Sequence, residues 1–578
     1  MMKNIFIVFL LCAFQFSSAQ QAPEPSHPLL KQALKKIADF NTEERRIDSM
    51  SGFQLGLHGE AEAKRRYDFF IVLDKEIRGI GKSELSFEDE INAELLLYSF
   101  EDDISDYKFK AYLNPILSEG GFHTNITGMS NTVIRSTRDA DAYLVRLNDI
   151  PRYMEEHFAL MREGLKIGIA QPYDVVKNFN NTYEIHIVGQ PEQSVFWKPF
   201  AKKPATISDA EWQGITTRAK DVVMYKAVSG YKSVKQFFEK EYLPNAPIKP
   251  GVLYFPNGLQ FYQDRVSHFT TTDLNYDSVF NIGLKEVARI KAAMYEVKED
   301  VGFKGDMKSF IEMLRTDPKF YPKTGEDLLK EASFIAKKID GKLPMLFGRL
   351  PRQPYGVEPV PEVIAPTYTA GRYSGAPIKS TRAGNYWVNL YNLPSRTLYT
   401  LEALTLHEAV PGHHLQMALT QELENLPAFR RNLYVNAFGE GWGLYAESLG
   451  YELGLYKDPY SRFGQLTYDM WRACRLVIDV GVHAKGWSRQ QSVDYLAENT
   501  ALSMHEVNTE INRYIAWPGQ ALAYKIGELK IKELRKRAES SLGDKFDVRK
   551  FHDTLLSEGT LTLRLMEKLI DKYIEASK

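Results

Sequence analysis

A proline and a glycine, Pro411-Gly412, interrupt a run that gathers three of the chain's twelve histidines around one carboxylate: His407-Glu408-Ala409-Val410-Pro411-Gly412-His413-His414. No other segment restricts the fold as much, because no continuous helix can carry it. Proline lacks an N–H and its ring collides with the carbonyl four residues back, here that of His407, while glycine accepts backbone angles that other residues avoid. The helix must bulge or break. In a helical metal site, histidines at i and i+4 share a face, and a Glu beside the first acts on water; here i+4 is Pro411. In an unbroken helix His407 and His414 would face the same way yet lie ~10.5 Å apart along the axis, too far to share one ion. If Pro-Gly loops out, His413 falls where i+4 would have been. His407 and His413 are therefore expected as metal ligands, Glu408 as general base, and His414 as a neighbour of the ligands or of the substrate.

Two histidines need a third protein ligand. Leu433, Ala437, Glu440, Leu444, Glu447 and Tyr451 recur at spacings of four and three, one stripe of an amphipathic helix. Carboxylates on an apolar face are costly unless paired or bound to metal. Glu440 lies among Gly439, Gly441 and Gly443, which admit another helix at close range, and is the expected third ligand. Glu447, two turns on, is expected to accept a hydrogen bond from a ligand histidine and so orient it.

The run from His407 to Gln416, followed by Glu440-Gly441-Trp442 and Glu447, resembles the domain-of-unknown-function family 885, bacterial proteins predicted to be metallopeptidase-like. Phe255-Pro256-Asn257-Gly258, His268 to Thr272, Leu350-Pro351-Arg352, Asp479 to His483 and Arg513 to Gln520 resemble further blocks of that family, so the resemblance spans most of the chain. More distantly, the chain is similar to helical zinc peptidases related to thimet oligopeptidase, angiotensin-converting enzyme and the Taq-type carboxypeptidases. Their Glu-x6-Glu pattern matches Glu440 and Glu447, and their Gly-His-x-Leu matches Gly412-His413-x-Leu415, which favours His413 over His414 as ligand. The inserted Pro-Gly departs from those enzymes. The resemblance implies one zinc ion per chain and hydrolysis of a peptide or related amide.

Tyr468, Arg472, Arg475, Asp479 and His483 follow at three- or four-residue steps, so a helix presents them together beside Leu476, Val477 and Val480. Asp479 and His483, at i and i+4, can hydrogen-bond, which would fix the imidazole tautomer and favour its protonated form. The resemblance implies that His483 stabilises an oxyanion; an ion-paired face between packed helices fits the same pattern. It also implies a tyrosine donor to the tetrahedral oxygen, with Tyr514 and Tyr524 as the candidates and Tyr524 the less favoured because it restarts a helix; a packed, hydrogen-bonded tyrosine fits either position. His505-Glu506 lacks a partner at Thr509 and does not read as a metal motif.

Asn385 to Tyr391, aromatic and β-branched between Gly384 and Pro394, reads as a strand. As an edge strand it could pair with an extended peptide; as a buttress it would only support the site helix. Seven prolines between Pro344 and Pro377 mark an ordered loop over the site, where Arg352, Arg372 or Arg382 could hold a substrate carboxylate.

At the N-terminus, Lys3, the apolar run Ile5 to Phe16 and Ser17-Ser18-Ala19 read as a signal peptide cut after Ala19, which predicts a periplasmic or secreted protein. Cys12 follows Leu11 rather than a small residue, which argues against lipid attachment. After cleavage only Cys474 remains, so no intramolecular disulfide is possible. A net charge of −1 gives no sign of nucleic-acid binding, and no later segment is long and apolar enough for the membrane. The expected architecture is mainly α with a few short strands: a signal peptide (1–19), a helical N-terminal half (20–340), a Pro-rich connector with its strand (341–400) and a helical C-terminal half with the metal site (401–578), enclosing a cleft. Tyr183 to Val188 reads as a further strand, and Tyr153 to Ile169 and Ser278 to Glu299 as helices. The expected function is a secreted zinc peptidase using an activated water. A secreted peptide-binding protein without turnover, and a metal-dependent amidase or esterase, are the alternatives.

Overall fold

The structure, a computed structural model, describes residues 23–362, 364–378 and 380–578. The expected signal peptide and its cleavage site lie outside the described residues. The described chain is mainly α-helical with a few short strands. Its first three helices, Pro28–Ser51, Glu60–Arg78 and Phe87–Lys108, surround a satellite core that includes Leu30, Phe70, Leu73 and Phe100. Beyond them a short antiparallel hairpin, β1 (Ile116–Leu117) and β2 (Gly120–Gly121), precedes further helices, among them Ile150–Ile167 and the long α1 (Tyr276–Val301). Side-chain capping sets several helix starts: before Gly325–Asp340, Thr324 accepts from the Asp327 amide while Asp327 accepts from the Thr324 amide. Tyr183 to Val188 is no strand; Glu184–His186 forms a 3₁₀ turn there, with the neighbouring Tyr183 ring buried. Local turn formation has overridden the strand propensity of this segment.

Three strands, β3 (Tyr355–Pro359), β4 (Gly371–Ser374) and β5 (Gly384–Val388), form one sheet in the order β3-β5-β4. β5 runs parallel to β3 and antiparallel to β4, with Tyr386 opposite both Val357 and Tyr373. The aromatic segment expected as an edge strand is therefore the centre of the sheet. Both its flanks are already paired, so it has no backbone edge to offer a peptide.

The C-terminal helices that matter for the site are α2 (Leu401–Glu408), α3 (His413–Glu422), α4 (Asn436–Leu449), α5 (Pro459–Lys485), α6 (Met504–Ala516) and α7 (Ala523–Leu542). Every residue of α5 from Phe463 to His483 is buried, so this helix is the axis of the molecule and its polar stripe lies wholly inside. α1 packs along α5, and α4 crosses α7. At that second crossing Gly441 meets Gly527 so closely that a Cβ on Gly441 would stand 2.6 Å from the Gly527 backbone. The principal core is continuous from Ile91 to Ile574. Among the described residues no helix is long and apolar enough to cross a membrane.

Candidate metal centre

The helix carrying the histidine run does break. α2 ends at Glu408, Ala409 leaves helical angles with ψ of −105°, and α3 restarts at His413. The turn is pinned from outside, because the Trp442 indole N–H of α4 donates to the Pro411 carbonyl at 2.8 Å. Across the break, the His414 amide donates to the Ala409 carbonyl.

The result brings His407, His413 and Glu440 together, with one ligand atom from each lying within 4.8 Å of the others. Glu440 Oε2 stands 3.4 Å from His413 Nε2 and 3.7 Å from His407 Nε2. Tetrahedral zinc with bonds of ~2.0–2.1 Å places its ligand atoms roughly 3.3–3.4 Å apart, so the cluster fits such an ion with small adjustments. The two imidazole rings stand nearly perpendicular, at 86°. Gly443 leaves room for the His407 ring, since a Cβ there would meet it at 2.8 Å.

The tautomer of His407 is set from behind. Its Nδ1–H donates to Glu447 Oε1 at 2.8 Å, which turns Nε2 toward Glu440. Glu447 is completely buried, and the Arg472 guanidinium of α5 approaches the same oxygen at 3.1 Å. Burial opposes a charge on His407, but the hydrogen bonds to Glu440 and Glu447 prevail and raise its pKa to about 10. Glu440 is likewise penalised by burial, yet both histidines hold its pKa well below the ordinary carboxylate range. Without a metal, a proton on His407 balances the carboxylate charge; a dication would serve the same electrostatic need.

Glu408, adjacent to His407, is anchored through Oε2, which accepts the Tyr373 amide of β4 at 2.7 Å. His414 points away from the cluster. Its Nδ1 pairs with the Tyr373 hydroxyl at 3.0 Å, its ring lies 4.6 Å from that of Tyr355, and burial lowers its pKa to about 4. It thus supports the strand that holds Glu408.

Asp479 and His483 do not pair with each other, which corrects the expectation from their spacing. The Asp479 carboxylate accepts the Tyr262 hydroxyl at 2.6 Å and the Gly519 amide at 3.1 Å, and burial raises its pKa to about 7. Both His483 nitrogens face backbone groups, one accepting from the Val252 amide and the other donating to the Tyr514 carbonyl. Burial lowers its pKa to about 4, so the imidazole is neutral rather than charged. An imidazole so occupied has no N–H left for an oxyanion. The Tyr514 hydroxyl accepts from Trp471 at 2.7 Å and from Arg475 at 2.9 Å, and so belongs to a buried network. Tyr524 lies nearer the cluster, its ring stacked 6.5 Å from that of His407 and its hydroxyl accepting from Arg513 at 3.2 Å.

Two participants give no signal in the sequence. Tyr373 acts through its backbone amide, which no side-chain pattern reveals. Tyr434 packs on Gly439 and hydrogen-bonds the Glu440 carboxylate; burial and that carboxylate push its pKa well above the ordinary phenol value. It precedes α4 and stands outside the helical stripe that singles out Glu440, so periodicity does not connect the two. Among the connector arginines, Arg372 stacks on Tyr368 at 4.9 Å and is coupled electrostatically to Arg513 and Glu408, whereas Arg352 pairs with Glu422 at the surface.

Residues 53–570 match the family described as "Bacterial protein of unknown function (DUF885)", and the chain belongs to that family. A crystal structure of a "putative lipoprotein" from Colwellia psychrerythraea shares the fold with a TM-score of 0.85 at 27% identity, over 95% of this chain and 98% of that one. A second "putative lipoprotein of unknown function", from Shewanella oneidensis, superposes with a TM-score of 0.69 at 17% identity, over 94% of this chain and all of the other, a likeness of fold alone. No curated protein matches the chain.

Proposed function

We propose that this chain is an extracytoplasmic zinc-dependent hydrolase whose substrates are peptides. The observation that carries the reading is the convergence of His407, His413 and Glu440 beside a carboxylate, Glu408, already fixed by a backbone amide. His407, His413 and Glu440 would hold the ion, with Glu447 fixing the His407 tautomer. Zinc, when bound, supplies Lewis acidity at the scissile carbonyl and makes water more acidic. Glu408 takes the proton of the attacking water and delivers it to the leaving nitrogen. Tyr524, whose hydroxyl accepts from Arg513 and keeps its own O–H free, would donate to the tetrahedral oxygen, in place of the occupied His483 and Tyr514. The outer edge of β4, beside Glu408, is the strand along which an extended peptide would lie. The extracytoplasmic location rests on the apolar N-terminal run and on the name of the Colwellia psychrerythraea relative, described as a putative lipoprotein.

The test is metal analysis of the purified protein together with turnover on a panel of peptides, non-peptide amides and esters, with and without chelator. Glu408→Gln should retain zinc and lose roughly 10²–10⁴-fold in turnover. A fully active Glu408→Gln variant would sink the assignment, and hydrolysis confined to the esters or amides would replace the peptide substrate.

A further inference from the structure

Arg372 and Arg513 hold no metal ligand, yet both stand beside the candidate metal centre. Arg372 lies on β4, one residue before the Tyr373 whose amide holds Glu408. Arg513 lies on α6 and donates through Nη2 to the hydroxyl of Tyr524, whose ring stacks on that of His407. The two guanidinium groups are within electrostatic reach of each other, and Arg372 is also within reach of Glu408. Like charges at such range repel, and desolvation opposes the charge on each.

The fold does not pair them off. Arg372 is exposed and stacks on the Tyr368 ring, and among the described residues no carboxylate forms an ion pair with it. Arg513 uses Nη2 on Tyr524 and on Gln520 Oε1 at 3.1 Å, but its Nη1 remains 3.7 Å from Glu510, beyond hydrogen-bond range, while Glu510 contacts Arg475 at 2.8 Å. Glu119, exposed at the turn between β1 and β2, reaches both arginines electrostatically without an ion pair to either. Its hairpin is moored at the end of α6, because the Gln171 side-chain amide donates both to the Ile116 carbonyl at 3.1 Å and to the Ala516 carbonyl at 3.0 Å. Arginine N–H groups left open in this way suit a planar anion with two oxygens. A peptide backbone is neutral along its length, and the anionic group that every unblocked peptide carries is its terminal carboxylate.

We propose that Arg372 and Arg513 form a clamp for the free C-terminal carboxylate of the substrate, so that the substrate class is short unblocked peptides trimmed from their C-terminal end. One extended residue spans ~3.3–3.4 Å, so a carboxylate held next to the Glu408 anchor ends the substrate roughly one or two residues beyond the bond that Glu408 serves. Glu119 opposes the incoming charge. The trimming rests on the hydrolase reading; the carboxylate clamp does not.

Calorimetric titration of the full chain carrying Glu408→Gln, which binds peptide without turning it over, tests the clamp with Ala-Phe-Ala-Ala as the free acid and as the C-terminal amide. The free acid should bind roughly tenfold or more tightly than the amide. Arg372→Gln and Arg513→Gln should each remove most of that preference, with the loss falling on the acid, and Glu119→Gln should enlarge it. Should Arg513→Gln fail to fold, Arg372→Gln, at an exposed position, decides. Equal affinity for acid and amide, binding of neither, or affinity restored by an amidated peptide ending in glutamate overturns the proposal. Cleavage of the same peptides by the wild type is scored separately. Selective binding without cleavage keeps the clamp and removes the hydrolase, whereas equal cleavage of acid and amide keeps the hydrolase and removes the clamp.

Discussion

Histidines concentrate in two places in this molecule, and the two behave oppositely. In the C-terminal half, His407 and His413 face Glu440 and Glu447. In the N-terminal half, His58, His123, His157 and His186 sit among aromatic rings: His157 stacks on Phe122 at 4.7 Å and lies 4.4 Å from His58, and His186 lies 4.5 Å from Tyr231. Their polar partners are neutral, the Tyr153 carbonyl for His157 and the Thr182 hydroxyl for His123. Burial then lowers the pKa of all four, to about 3 for His123 and about 4 for His186. Burial acts on both groups alike, so the carboxylates decide which one is a candidate cation site and which one is core. A buried imidazole is a ligand only when its neighbours demand positive charge.

The sharpest break in this comparison is removal of the carboxylate. Glu440→Ala and His407→Ala should each reduce near-stoichiometric zinc to background by elemental mass spectrometry, whereas His157→Phe should leave zinc unchanged. Next in size is acid sensitivity. The N-terminal histidines have folded pKa values below the ~6.5 of an unfolded histidine, so their contribution is intact above that pH and is lost as pH falls through the folded values. Urea titrations with chelator present should therefore show stability falling by roughly 2–4 kcal/mol between pH 7 and pH 4, and His157→Phe should flatten part of that slope. An unchanged slope would remove the N-terminal cluster from the explanation. A smaller effect separates ligand from support: Glu447→Gln should keep the fold and weaken zinc affinity roughly 10–100-fold, measured by competition with a chelator. Smallest is Trp442→Phe, which deletes one hydrogen bond to the Pro411 turn and should cost about 1 kcal/mol of stability.

What could be read in the sequence was what local covalent chemistry dictates. Pro411 lacks an N–H, so the helix break was legible, and with it the placement of His413 beside His407. The 3–4 spacing of Glu440 and Glu447 likewise set them on the buried face of one helix. The misreadings came from distant competitors. Asp479 and His483 have the spacing to pair, but Tyr262 and Val252, more than two hundred residues away, supply better-placed partners. The strand at Asn385 carried its own aromatic pattern, while the flanking β3 and β4 come from a proline-rich stretch that reads as loop. Being central or at an edge is a property of neighbours, not of the strand. The Tyr373 amide that anchors Glu408 carries no sequence signature, because every residue but proline has one.

The three residues of the candidate metal centre sit on three separate helices, α2, α3 and α4, and the turn between the first two is held by a tryptophan from the third. No single helix can therefore form the site by itself. A zinc finger closes around its ion as a peptide; here the order is reversed, and the cage exists only once α4 has docked. The meeting of these three side chains is then a late event in folding, a report that assembly of the three helices has finished.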